Sequence, residues 1–230
     1  MLRKLEPFHH RNNWFADLIL GGQDGLVNVL GIILGVTAAK GSNQILLAAS
    51  LAAGLAEAVS MAAVSYTSQK SNQENYEKEK QREYYEVAHV PETEKEEIRE
   101  IYQQRGFKGK ILEEIVQTIT ADKDVWVANM MTDELGLEPV ETANILKSSL
   151  LVGLSAVIGS LLPILPFFFI TGQPAVIVSL IIAACTLFAV GMYQAKSMVG
   201  NWWKGGLQMM LIGLGAAFVG FVIGNLFKTI

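Results

Sequence analysis

Five long apolar runs, separated by short polar segments and one long polar insert, organise this sequence. At about 1.5 Å per residue, a helix of 22 or 23 residues can cross a hydrocarbon core of roughly 30 Å. Barrel strands would be shorter and would alternate in polarity. The pattern therefore predicts an all-α, polytopic membrane protein with five transmembrane helices. The runs are Asp17–Ala39, Ile45–Thr67, Ser149–Thr171, Pro174–Ala195 and Gly205–Phe227.

The insert between the second and third runs, residues 68–148, has a different composition from the rest of the chain. It carries 18 of the 22 acidic residues and 11 basic ones. Its apolar residues recur at spacings of three and four, as in a small helical bundle. The sequence therefore predicts three parts, which are a leader with two membrane helices (1–67), an acidic helical lobe (68–148) and three further membrane helices (149–230).

The helices of the lobe are predicted from periodicity and from helix start and stop signals. Residues 69–87 continue the second run as a charged helix, and another helix begins at Pro91 and stops near Gly106. A capping box is predicted at Thr93–Glu96. A further helix around Asp124–Leu135 ends at Gly136.

Lysine and arginine residues lie almost entirely on one side of the predicted membrane helices. With five spans, alternate sides collect 16 and 2 of the 18 basic residues. Because cytosolic loops are enriched in Lys and Arg, the N-terminus and the lobe are predicted to be cytosolic. The C-terminus is then outside the cytosol or in a lumen.

Composition excludes several functional classes. Hydrophobic residues make up 51% of the chain and charged residues 17%, below the roughly 25% of soluble domains. The single cysteine, Cys185, excludes an intrachain disulfide framework and a cysteine-based zinc site. The sequence has no phosphate-binding loop for ATP-driven pumping, and its acidic lobe argues against nucleic-acid binding. No prosthetic group is expected, and the chain is predicted not to be an enzyme.

The membrane runs contain few acidic residues, and each of these requires an explanation, because a carboxylate within a bilayer is costly. Asp24 lies about two turns into the first run, with Asn28 one turn further on the same face. In the second run, Glu57 and Met61 share a stripe. Oxygen and thioether ligands together favour a transition metal such as Fe2+ or Mn2+. Alternatively, either acid could hydrogen-bond between helices, and Met61 could simply fill the core.

The lobe offers a second set of candidate metal ligands. Carboxylates one helical turn apart project from the same side and can converge on a cation. A solvated acidic face remains the alternative for the glutamates, and a place in the lobe core is the alternative for the two methionines. The candidates are Glu83, Glu86, Glu94, Glu97, Met130, Met131 and Glu134.

Several motifs occur in the order found in one known family. They are Asp24–Gly31 (DGLVNVLG) with Gly35-Val36, then Ser60–Ala62 (SMA), the acidic insert, and Asp133–Leu137 (DELGL). In this the chain resembles the vacuolar iron transporter family, which moves cytosolic Fe2+ and Mn2+ across a membrane. The resemblance covers essentially the whole chain.

The resemblance implies a homodimer with the first membrane helix at the pore, metal binding by the insert on the cytosolic side, and exchange of metal for protons. Asp24 and Met61 match the pore ligands, and the seven lobe residues match the insert's metal-binding set. Val64-Ser65 stand where many relatives have Gly-Glu. Glu57 is expected to compensate, as in the bacterial and archaeal-type members that the context Ala56–Ala58 resembles.

The expected function is therefore transport of Fe2+, and also of Mn2+, out of the cytosol. The membrane would be the cell membrane in a prokaryote and a vacuolar-type membrane in a eukaryote. Two alternatives remain open. One is a membrane-anchored, ferritin-like iron oxidase, for which Glu86 and His89 supply only one Glu-x-x-His motif. The other is a metal sensor or scaffold that does not transport.

Overall fold

The computed structural model describes residues 14–139, 142–197 and 200–227, and these residues form eight α-helices without a strand. A π-helical turn, Met130–Glu134, follows α5, and a 3-10 turn, Leu165–Phe168, follows α6. The helices are α1 (Trp14–Ala38), α2 (Asn43–His89), α3 (Pro91–Gln104), α4 (Gly109–Thr120), α5 (Lys123–Asn129), α6 (Thr142–Ile164), α7 (Gln173–Ser197) and α8 (Trp202–Phe227).

Five of the helical segments in the described residues are long and apolar enough to cross a membrane. They lie in α1, in α2, in α6 with its 3-10 turn, in α7 and in α8. The prediction of an all-α protein with five transmembrane helices is confirmed. The chain divides into two compact units, a membrane unit (1–66 and 146–230) and a lobe (67–145).

Glycines on α1 bring its neighbours in the membrane unit into close contact. A Cβ atom on Gly21 or Gly25 would collide with the backbone of α6, at Val152 and Ala156 respectively. Further along α1 the relation is reversed, because a Cβ atom on Gly220 or Gly224 of α8 would collide with the backbone of Gly31 or Gly35 respectively. Small residues at spacings of four allow such close helix packing in membranes. Both glycine pairs of α1 are therefore used for packing within a single chain.

The lobe has a hydrophobic core of its own. Helix α2 continues through residues 69–87 as predicted, and α3 begins at Pro91. Ile111 is one of the apolar residues that recur at spacings of three and four in the lobe, but it is 61% exposed and does not belong to this core. The buried core residues are Val87, Ile98, Leu112, Val116, Ile119, Trp126, Val127, Met130 and Met131.

One local prediction for the lobe, the capping box at Thr93–Glu96, was wrong. The N-cap of α3 is Val90, which makes no side-chain capping bond, so Thr93 lies inside the first turn and is not the start of a capping box. The helix expected over residues 124–135 is present, but it is α-helical only to Asn129 and its last turn is π-helical. Proline at the first helical position fixes the start of α3 without a side-chain cap.

Candidate metal sites

The first candidate site lies on the side of α1 that α6 and α8 leave uncovered. Leu20, Asp24 and Asn28 recur every four residues along this side, and all three are exposed in the single chain. Positions four apart lie on one face of a helix, so they form a continuous strip. The strip contains a carboxylate at membrane depth that the chain itself does not bury.

Glu57 of α2 joins this strip. Nδ2 of Asn28 donates a hydrogen bond to Oε2 of Glu57 over 2.5 Å. The carboxyl groups of Glu57 and Asp24 are also close enough to influence each other electrostatically. Two carboxyl groups and an amide from two spanning helices therefore converge. The sequence placed each acid on a face of its own helix, and the structure brings the two faces together.

Met61 lies one helical turn beyond Glu57 on α2 and is half-buried, as is Glu57. This spacing puts the thioether on the same side of α2 as the carboxylate. Asp17, in contrast, has a structural partner, because its Oδ2 accepts a hydrogen bond from Oγ of Ser148 on α6, 2.7 Å away. The set that the structure brings together in the membrane unit is therefore Asp24, Asn28 and Glu57, with Met61 adjacent along α2.

The second candidate site lies in the lobe, where three glutamates converge. Carboxylate oxygens of Glu83 and Glu86 from α2 and of Glu94 from α3 all lie within 4.8 Å of one another. Glu83 and Glu94 are 2% and 3% exposed. One oxygen of each, Oε2, is buried without a hydrogen-bond partner in the part of the chain that the structure describes. Buried carboxylates without donors are unfavourable unless a proton or a cation neutralises them.

The electrostatics of the lobe site follow from this crowding. Burial, and then the charges of Glu134 and Glu86, raise the pKa of Glu83 from its ordinary value of 4.5 to about 7. Burial, and then the charges of Glu97 and Glu83, raise the pKa of Glu94 to about 7. The pKa of Glu134 is raised by burial and by Glu97 and Glu86. The five predicted lobe glutamates therefore influence one another as a single electrostatic group.

The positively charged side chain of Arg82 lies beside this group. Nε of Arg82 is 3.1 Å from Oε1 of Glu86, and Arg82 also pairs with Glu79. Arg82 is exposed, so this pairing is weak, and a divalent ion can displace it from Glu86. The three glutamates keep enough unpaired oxygen atoms to hold a hard or borderline divalent cation.

The π-helical turn holds Glu134 in its position. The residue before it, Asp133, accepts two hydrogen bonds from the guanidinium of Arg105, at 3.0 and 2.6 Å, and one from the hydroxyl of Tyr102, at 3.2 Å. These hydrogen bonds attach the turn to Tyr102 of α3 and to Arg105, the residue that directly follows α3. Met130 and Met131, which begin the turn, are fully buried in the lobe core. π-helical turns often mark functional positions.

His89 does not join the glutamates of the lobe. Its Nδ1 lies 2.8 Å from the backbone oxygen of Tyr85, and its ring stacks on the Tyr85 ring. Among the described residues, the group with metal-ligand geometry contains Glu83, Glu86 and Glu94 and no histidine. The Glu-x-x-His motif of the oxidase alternative therefore has its histidine engaged elsewhere.

Comparison with known proteins assigns the family. Residues 15–225, almost the whole chain, match the VIT family. The chain belongs to the VIT family. Its relatives include vacuolar iron transporter 1 of Eucalyptus grandis, which is 32% identical over 206 residues, or 89% of this chain and 83% of the relative. Vacuolar iron transporter 1 of Arabidopsis thaliana is 33% identical over 80% of this chain and 76% of its own length.

A more distant organism gives the same result. The vacuolar iron transporter of Toxoplasma gondii is 30% identical and aligns with 100% of this VIT-family chain and 82% of its own length. The resemblance that the sequence motifs indicated is therefore confirmed. Together with the five spanning helices, it identifies a multi-pass membrane protein.

Two contributors to the sites of this VIT-family chain were not predicted as site residues. Asn28 was placed on the face of Asp24 without a role, and its four-residue spacing from Asp24 was the available signal. Arg105 supports the turn that carries Glu134, but no local pattern links it to Asp133, 28 residues away. Both contacts join different helices and depend on tertiary packing.

Proposed function

We propose that this chain transports divalent transition metal ions, Fe2+ and also Mn2+, out of the cytosol in exchange for protons. The convergence of Asp24, Asn28 and Glu57 from two spanning helices carries the proposal. Carboxylates at membrane depth mark ion pathways, and this pair offers several oxygen ligands in one place. The names of the relatives, which are iron transporters, support the choice of cargo.

Proton exchange follows from the chemistry of such a pair. Two neighbouring carboxylates repel each other when both are ionised, so either a proton or a metal ion must compensate their charge. Binding of a metal requires a deprotonated ligand, which makes proton loss and metal gain competing events at one site. A transporter of this kind is of the secondary type and not an enzyme. Met61, one turn away, adds a thioether that favours Fe2+ over harder ions.

A homodimer accounts for the exposure of this site. The strip of Leu20, Asp24 and Asn28 would otherwise present a carboxylate to lipid, which is unfavourable. A second copy that packs the same strip across a two-fold axis would cover it and bring four carboxyl groups together. The glycines of α1 do not serve this contact, because they pack against α6 and α8 of their own chain.

The lobe is proposed to collect the ions on the cytosolic side, the side that the Lys and Arg distribution assigns to it. Glu83, Glu86 and Glu94 supply converging oxygen atoms, with Glu97 and Glu134 beside them. Met130 and Met131 are proposed as additional soft ligands that a local opening of the core would release.

The proposal is tested with the full protein in liposomes that contain a metal-sensitive dye, with Fe2+ or Mn2+ outside and a pH gradient across the membrane. We expect metal influx in the parent and its loss in Asp24→Asn. Asp17→Asn is the matched control, since Asp17 lies on the same helix and contacts Ser148. Equal transport by Asp24→Asn and the parent would refute the site. Metal binding without flux in the parent would favour the sensor alternative.

A further inference from the structure

A polar cavity of about 320 Å³ lies among α1, α7 and α8 of the membrane unit. Each helix contributes one glutamine to its lining, Gln23, Gln194 and Gln208. Three carboxamides from three spanning helices at one cavity are unusual for a hydrocarbon environment. The site of Asp24 and Glu57 does not account for them, since Glu57 lies on α2.

The three carboxamides have no side-chain hydrogen-bond partner in the part of the chain that the structure describes. Each carboxamide has two N–H donors and an oxygen acceptor. Buried or lipid-facing polar groups in native proteins are satisfied by protein, ligand or ordered water, and the described residues do not satisfy these. A space of this volume with several polar partners is suited to a group of water molecules.

The cavity adjoins Asp24. A second cavity, of about 180 Å³, shares Gln23 and Ile212 with the first and is lined by Asp24 itself. At its other end, the first cavity lies toward the start of α1 and α8 and the end of α7. There, Phe15 of α1 contacts Tyr193 of α7, with ring centroids 4.4 Å apart. Gln194 directly follows Tyr193. The two cavities therefore extend from Asp24 toward this end of the helices within a single protomer.

We propose that this glutamine chamber, lined by Gln23, Gln194 and Gln208, is filled with water and gives Asp24 contact with solvent on its α8 side. This contact with solvent lies on a different side of Asp24 from the one that faces Glu57. The ligand is water and not a metal ion, because the three carboxamides carry no charge to compensate a divalent cation. A metal ion that binds at Asp24 must release water, and the chamber provides space for it.

Hydroxyl-radical labelling of the purified protein in lipid nanodiscs tests the chamber directly. Radicals formed from bound water oxidise nearby methionine thioethers. Met209 lines the chamber although it is only 8% exposed, whereas its neighbour Met210 is half-buried and does not line it. We expect Met209 to be oxidised severalfold faster than Met210. A rate for Met209 at or below that of Met210 would overturn the proposal.

Two variants test the role of the amides. Gln194→Leu and Gln208→Leu replace a carboxamide with an apolar side chain of similar size, so each should lower the oxidation rate of Met209 severalfold. Leu211→Ala, at an exposed position of α8 outside the lining, is the control and should leave the rate unchanged. If both glutamine variants are labelled like the parent, the amides do not hold the water and the proposal fails.

The experiment separates this inference from the proposed transport. Labelling of Met209 requires water but no metal and no ion flux. A parent protein that is labelled at Met209 but moves no metal would keep the chamber and refute the transport proposal. A parent that transports metal without enhanced labelling at Met209 would refute the chamber alone.

Discussion

Nδ2 of Asn28 lies 2.5 Å from Oε2 of Glu57 and links the first two spanning helices. The amide donates to a carboxylate that also neighbours Asp24. Asn28 therefore fixes the orientation of Glu57 and leaves its other oxygen for Asp24 or a metal ion. Although neutral, Asn28 belongs to the site as a positioning residue.

Asn28→Ala should slow metal transport in liposomes about tenfold, which corresponds to about 1.4 kcal/mol, the size of one typical hydrogen bond. Asn28→Gln keeps an amide donor and should recover part of the rate. The measurement is the initial rate of dye quenching by Fe2+. If Asn28→Ala transports at the parent rate, Glu57 does not depend on this contact.

The proposed dimer predicts a cross-link along the exposed strip of α1. In a Cys185→Ser background, Leu20→Cys should form an intermolecular disulfide on mild oxidation, because a two-fold axis along the strip brings the two copies of this position together. Leu20 is 54% exposed. The matched control is Leu154→Cys, at a position on α6 that is 62% exposed. Non-reducing gel electrophoresis measures the product. Equal cross-linking of both variants, or none at Leu20→Cys, would argue against this interface.

The lobe site predicts that metal binding depends on pH. The pKa values of Glu83 and Glu94 are about 7 in the folded protein, so protons compete with metal below this pH. Metal affinity should therefore be higher at pH 8 than at pH 6, which lie about one pH unit on each side of these pKa values. Metal titrations of the full protein at the two pH values measure this difference. An affinity that is flat over this range would contradict the assignment.

The same shifts predict the stability of the metal-free protein. Between the ordinary pKa of 4.5 and the raised value of about 7, the folded state binds more protons than the unfolded state. The free energy of unfolding should therefore fall as the pH rises through this window. At high pH, Glu94→Gln should be more stable than the parent by on the order of 1 kcal/mol and should bind metal more weakly. Glu92→Gln, on the same turn of α3 but exposed, should change neither.

The fork between Arg105 and Asp133 should support metal binding through Glu134. Arg105→Gln removes two of the hydrogen bonds that Asp133 of the π-helical turn accepts and should weaken metal binding about fivefold. Arg99→Gln breaks an ion pair with Glu113 between α3 and α4 and is the matched control. Isothermal titration calorimetry with metal ions and the full protein measures the metal affinity of both variants. A similar loss in the two variants would indicate general destabilisation of the lobe.

Close packing of α1 should be essential to the membrane unit. Gly25→Ala places a Cβ atom against the carbonyl oxygen of Ala156 and should lower the free energy of unfolding by about 1–3 kcal/mol. A Cβ on Gly215 of α8 would meet no heavy atom within 4 Å, so Gly215→Ala should be neutral or stabilising by up to about 1 kcal/mol. Thermal unfolding in detergent compares the two. Equal stability of both variants would show that α6 can shift away from α1.

Amino-acid order alone determined the spanning helices and the faces that carry the candidate ligands. Apolar length sets the number of spans, and the helical repeat places Asp24 with Asn28 and Glu57 with Met61, because both properties are local to one helix. The continuation of α2 into the lobe and the start of α3 at Pro91 follow from local signals as well. The family motifs, read in order, identified the family.

Tertiary packing decided which of these faces meet. The helical repeat cannot show that Asn28 donates to Glu57, that the glycines of α1 contact α6 and α8, or that three glutamines line one cavity. It also missed the π-helical turn, whose Asp133 pairs with the distant Arg105. Each of these contacts joins residues far apart in the sequence, and only the folded arrangement of the helices brings them together.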